Sequence, residues 1–121
     1  MSVAQALQWS IFTIDLDSTP GSRPNGNHPV LVVSRESANQ VLPVVTVLPI
    51  AERRQGRRVY PNEVLLRSGT AGLKADAIAM AHQTRTVAKS RLAAPLGMIE
   101  DEELRTAVRR AMCVQLNLEA G

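Results

Sequence analysis

The 121-residue sequence predicts a mainly β fold with a C-terminal α-helix, an α+β domain built on a small curled antiparallel sheet or open barrel. Three observations predict it. Short Val-rich runs recur between clusters of Pro, Gly, Asn and Ser, as strands bounded by turns do. Only one segment, near the C-terminus, repeats its apolar residues at helical spacing. No repeat, linker or shift in composition divides the chain, so one domain over 1–121 is expected.

The first strand is Trp9 to Leu16, WSIFTIDL, rich in aromatic and β-branched residues. Asp17 to Asn27, DSTPGSRPNGN, is dominated by turn formers and reads as a long polar loop. It fits a solvated hairpin connection and a function-bearing loop equally well. His28 to Ile50 is the centre of the fold. Val30 to Val33 and Val44 to Leu48 are two β-branched runs joined by a polar connection, Arg35 to Gln40. Neither run alternates apolar with polar, so both should be buried on two faces as an antiparallel pair. Pro29, Pro43 and Pro49 bracket them, where a missing N–H costs least.

Next comes AERRQGRR, in which Arg53, Arg54, Arg57 and Arg58 surround Gly56. Such a loop can track phosphates or simply be solvated. Val59 to Arg67 reads as a strand, Ser68 to Lys74 as a turn region and Asp76 to His82 as a short strand of small residues. QTRTVAKSRL then brings Arg85, Lys89 and Arg91, and APLGMI links to the last element. Glu100 to Leu118 predicts a helix. Leu104, Ala107, Val108, Ala111, Met112 and Leu116 form its apolar stripe, and four acids occupy its N-terminus, where the helix dipole favours them.

Composition narrows the function. Hydrophobic residues are 45% of the chain but aromatics only 2%, so the core is built from Val, Leu, Ile, Ala and Met. The net charge of +3 allows a polyanionic partner. The single Cys113 excludes an internal disulfide and reads as a small core residue in the helix; a reduced, cytoplasmic setting is expected. No run approaches the roughly 20 apolar residues of a membrane span. The N-terminus lacks the charged and apolar regions of a signal peptide. No cluster of metal-ligand type is evident, and no cofactor or metal is expected.

The chain resembles the MazF/PemK toxins, the ribonuclease halves of bacterial toxin–antitoxin pairs. The resemblance rests on Asp15-Leu16-Asp17 with Thr19-Pro20-Gly21-Ser22, then Pro29 to Ser34, then Val47-Leu48-Pro49-Ile50. Gly72-Leu73-Lys74, Gln83 to Thr86 with Lys89, Arg91-Leu92 and Leu96-Gly97 complete it. Each piece is weak alone; their order and spacing are more specific. The resemblance implies an SH3-like, strongly curved sheet that pairs into a homodimer. It implies cleavage of single-stranded RNA at short motifs without metal. The neighbouring 2′-hydroxyl attacks the phosphate, leaving a 2′,3′-cyclic phosphate and a 5′-hydroxyl. It further implies an antitoxin whose flexible segment covers the RNA groove.

The departures from the family pattern fall on the chemistry. His28 stands where the family usually has Arg, and Ala51 where it often has Thr or Ser. Met80 and His82 replace an Arg and an acid of the PemK branch, and Ser22 replaces its loop His. The reaction needs a base, an acid and positive charge on the phosphate. The only two histidines, His28 and His82, both fall on positions aligned with the family's groove. The expectation is therefore an acid–base pair of His28 and His82 with Arg23 as phosphate clamp. Ser22, Arg53, Arg54, Arg57, Arg58, Gln83 and Arg85 are the expected RNA contacts, although Arg85 could instead pair with Asp76 or Glu63. Against an active ribonuclease stands a catalytically degenerate binder on the same scaffold, gripping RNA or an antitoxin. A CcdB-like gyrase poison is its other form, but those toxins end in an aromatic-containing tail, and this chain ends Asn117-Leu118-Glu119-Ala120-Gly121.

Overall fold

A computed structural model describes residues 6–15 and 27–119. It contains a seven-stranded sheet and a long C-terminal helix. The strands are β1 (Ser10–Asp15), β2 (Asn27–Val32), β3 (Val44–Glu52), β4 (Glu63–Leu66), β5 (Ala77–Met80), β6 (Arg85–Ala88) and β7 (Pro95–Met98). Their order is β4-β5-β3-β2-β1-β7, with β6 also paired to β3. Every pairing is antiparallel.

The nine-residue β3 is the spine. Along one edge it pairs with β2, Leu31 opposite Leu48. Its first half also pairs with β6, Val45 opposite Val87, and its last residues pair with β5, Ile50 opposite Ala79. Pro49 sits where the partner changes, a place that tolerates the missing N–H. The central pair is therefore β2–β3, as the two Val-rich runs predict, and both are buried on both faces. Trp9, Ile11, Leu31, Leu48, Ile50, Val64, Leu66 and Ala79 face one core, closed by Ile99, Val108 and Ala111. Phe12, Ile14, Val30, Val32, Val45, Val47 and Val87 face the other, closed by the curl of the sheet with Leu7 and Leu92. The period-2 alternation survives as a choice between two apolar cores.

Several boundaries differ from the sequence reading. The polar connection after β2 contains one helical turn, α1 (Glu36–Asn39), whose Glu36 carboxylate accepts the N–H groups of Leu7 and Gln8 at 3.0 and 2.8 Å. The strand expected over Val59–Arg67 begins only at Glu63, because Glu63 N–H donates to the Tyr60 carbonyl and closes a turn through Pro61. The strand expected over Asp76–His82 stops at Met80 and passes into a 3₁₀ turn, Ala81–Gln83. Strands β6 and β7 lie in segments with no strand expectation. The C-terminal helix is α2 (Glu102–Leu116), shorter than Glu100–Leu118. Asp101 caps it by accepting the Glu103 N–H at 3.2 Å, and Asn117 ends it in the left-handed conformation. Its stripe buries Val108 and Ala111 and packs Leu104, Ala107 and Met112, but Leu116 is exposed. No helix among the described residues is long and apolar enough to cross a membrane.

Candidate active site

The ends of β2, β3 and β5 meet at an open groove of about 650 Å³. His28 and Pro29 open β2 on one side. Pro49, Ile50, Ala51 and Glu52 run along its floor, Arg53 and Arg54 follow, and Met80 and Gln83 close it. His28 is half-buried opposite Ile14 of β1. Gln83 reaches the groove from the 3₁₀ turn that ends β5. The groove thus holds one imidazole, two guanidiniums, one amide and one carboxylate.

The basic stretch after β3 is an ordered turn. Arg57 N–H donates to the Arg54 carbonyl at 3.0 Å, and Gly56 takes φ +78°, a left-handed conformation that favours glycine at the third position of such a turn. Arg53 is held twice. Its N–H donates to the Asp76 carbonyl at 2.8 Å, and its Nε and Nη2 donate to the Arg57 carbonyl at 3.0 and 2.9 Å. Two of its five side-chain N–H donors are used, which leaves three for an anion in the groove. Arg54 is exposed at the groove's edge.

His82 lines a separate, shallower depression with Arg57, Tyr60, Asn62 and Val114. Its Nε2 lies 3.0 Å from the buried carboxylate of Glu63. Glu63 also accepts Arg57 Nη1 and Nη2 at 2.9 and 2.8 Å and the Tyr60 N–H at 3.0 Å. The Arg57 hydrogen bonds, helped by those from Tyr60 and His82, outweigh burial and bring the Glu63 carboxyl down to about 2. The two histidines are therefore not gathered in one groove. Arg58 lies over the Tyr60 ring, 5.3 Å from its centroid. Arg85 is exposed on β6 opposite Val47, and neither Glu63 nor Asp76 forms an ion pair with it. Ser22 and Arg23 lie outside the described residues. Cys113 is half-buried in α2. Among the described residues no three His, Cys, Asp or Glu side chains are grouped to hold a metal ion.

The sequence reading missed the Glu63 cluster. Its signal was faint: one acid in the segment VYPNEVLL, five residues after the last arginine of the run Arg53 to Arg58.

Comparison with known proteins agrees with the fold. The family model described as PemK-like, MazF-like toxin of type II toxin–antitoxin system matches residues 7–116. The endoribonuclease MazF9 of Mycobacterium tuberculosis is 38% identical over 99 residues, covering 78% of this chain and 82% of that protein. A Staphylococcus saprophyticus endoribonuclease MazF is 27% identical over 108 residues, covering 89% of this chain and 88% of that protein. Among solved structures, a mycobacterial endoribonuclease in complex with its cognate antitoxin superposes with a TM-score of 0.76 at 20% identity, covering 97% of this chain and all of that one. At such identity the likeness speaks to the fold, a curled half-barrel with a C-terminal helix. The span of the family model and the 38% identity together place the chain in the PemK/MazF-like family of type II toxins.

Proposed function

We propose that this chain is the toxin of a toxin–antitoxin pair and cuts single-stranded RNA in the groove between β2, β3 and β5. One observation carries the reading. His28, Ala51 and Met80, three of the positions where the family pattern places its chemistry, line one groove together with Gln83, Arg53 and Arg54, while a fourth, His82, lies outside it. In this reading His28 takes the proton of the attacking 2′-hydroxyl as the O2′–P bond forms, and the P–O5′ bond breaks as solvent water gives a proton to the leaving 5′-oxygen. Arg53 and Arg54 hold the phosphate and stabilise the charge that builds on it, and Gln83 bonds the RNA backbone. Arg23, the phosphate clamp expected from the sequence, precedes β2 in the chain and lies outside the described residues. His82 has its ring on Glu63 and is assigned to that cluster, not to proton transfer in the groove. The products are a 2′,3′-cyclic phosphate and a 5′-hydroxyl, and no metal takes part. The active form is a cytoplasmic homodimer silenced by an antitoxin whose acidic segment lies over the basic groove.

The test is cleavage of a long unstructured RNA by purified protein in EDTA, with mapping of the product ends. Cyclic-phosphate and 5′-hydroxyl ends are expected. Ala51 favours the second reading, a binder without catalysis, because it offers no hydroxyl where the family often has one. Folded protein that binds the RNA and leaves it intact would establish that second reading.

A further inference from the structure

Glu63 is the one charged side chain buried among the described residues, with its side chain 1% exposed. Taking a carboxylate out of water is costly unless its oxygens are saturated with donors, and here four hydrogen bonds saturate them. Neither core needs this charge, since both close with apolar side chains. What the carboxylate grips is the basic turn. Both terminal nitrogens of Arg57 meet it in a fork, a geometry that fixes the whole guanidinium plane. The carbonyl of that same Arg57 receives Arg53 through Nε and Nη2, and Arg53 lines the groove.

On the endoribonuclease reading above, we propose that Glu63 is a positioning residue: through Arg57 it holds the guanidinium of Arg53 aimed into the RNA groove. The turn closes at the Arg57 N–H, which donates to the Arg54 carbonyl, and at Gly56; the peptide that follows, with the Arg57 carbonyl, lies beyond that closure. Glu63 holds that stretch of chain from both sides, through the Arg57 guanidinium and the Tyr60 N–H, and so fixes the place of the carbonyl oxygen. A long arginine side chain loses much rotamer freedom on meeting a phosphate. One already tied to a fixed carbonyl has surrendered that freedom beforehand.

The experiment measures equilibrium binding of a single-stranded RNA made uncleavable by 2′-deoxy substitution, read by fluorescence anisotropy across a salt series. Wild type is compared with Arg53→Ala, Glu63→Gln, Arg57→Lys and the doubles that combine Arg53→Ala with each of the other two. Arg53→Ala is expected to weaken binding about tenfold, the scale of one charge-assisted hydrogen bond. It should also lower the log–log salt slope by about one. Glu63→Gln is expected to reproduce part of both losses and to add nothing once Arg53 is gone. Arg57→Lys keeps the charge but not the fork, and is expected to do the same from a partly exposed position if the buried substitution does not fold. Losses that simply add in the doubles would overturn the proposal and leave the enzymatic reading intact. Wild-type protein that binds RNA but does not cut natural RNA would overturn the enzymatic reading, while the cycle still decides on Glu63. Wild-type protein that binds no RNA would sink both.

Discussion

Replacing Glu63 with glutamine keeps the shape of the side chain and removes its charge, so the substitution isolates what the ion contributes to folding. In the folded protein the carboxyl sits at about 2, against 4.5 for an ordinary glutamate, chiefly because Arg57 donates two hydrogen bonds to it. That difference corresponds to about 3 kcal/mol in favour of the folded state. Because the folded value is the depressed one, the contribution is complete above pH 4.5 or so and is lost as pH falls through about 2. Near pH 3 the unfolded carboxyl is already mostly protonated, and about 2 kcal/mol of the advantage has gone. The buried amide also leaves donors of Arg57 unmatched, which adds a cost that does not vary with pH. The diagnostic quantity is therefore the change in the difference. Urea unfolding of both proteins, at one protein concentration, is expected to show Glu63→Gln less stable by about 3 kcal/mol or more at pH 7. The gap should narrow by about 2 kcal/mol at pH 3. Other carboxylates titrate in both proteins and cancel. A gap of the same size at both pH values would refute the reasoning, because the ion would then contribute nothing that a neutral amide lacks.

His28→Ala is expected to lower RNA cleavage about a hundredfold or more, the usual worth of a positioned proton-transfer group, without moving the thermal midpoint; a full rate from folded protein would remove His28 from the mechanism. Arg54→Ala, at the exposed edge of the groove, should weaken RNA binding equally across sequences and reduce the salt slope by about one; an unchanged slope would place Arg54 off the RNA path. Gly97→Ala should cost about 1–3 kcal/mol in a denaturation experiment. A Cβ there would lie 2.6 Å from the Ala71 carbonyl carbon and 2.7 Å from its oxygen, both backbone atoms that cannot swing aside. Wild-type stability in that variant would mean that β7 can slide away from the turn at Ala71.

Where the pattern of residues was strong, it carried through to three dimensions. The Val runs of β2 and β3 have no alternation because apolar matter lies on both sides of them, and their antiparallel pairing follows from a connection too short for a crossover. The stripe of α2 is equally legible, since helical spacing has few other causes. Strands β6 and β7 were not legible. Each is four residues long, β6 has only Val87 buried, and β7 opens on Pro95 with no residue fully buried. Their strand character comes from the partners β3 and β1, which supply hydrogen bonds that no local preference announces.

The candidate site divides in the same way. Residue types marked Arg53 and Arg54 as candidates, because guanidinium groups in a polar loop suit phosphate wherever they lie, and the resemblance to the family marked His28 and Gln83. Chain order also determined the family, since the motif segments keep their spacing across nearly the whole length. Which of those groups face one another was decided only by the curl of the sheet. It brings the start of β2 to the end of β3 and puts the 3₁₀ turn after β5 beside them. It also turns His82 away, onto a carboxylate 19 positions earlier that the sequence offered only as a possible partner of Arg85. Proton transfer and ion pairing act over about 3 Å, whereas spacing along the chain sets distance only within a single element. Across elements, distance belongs to the packing.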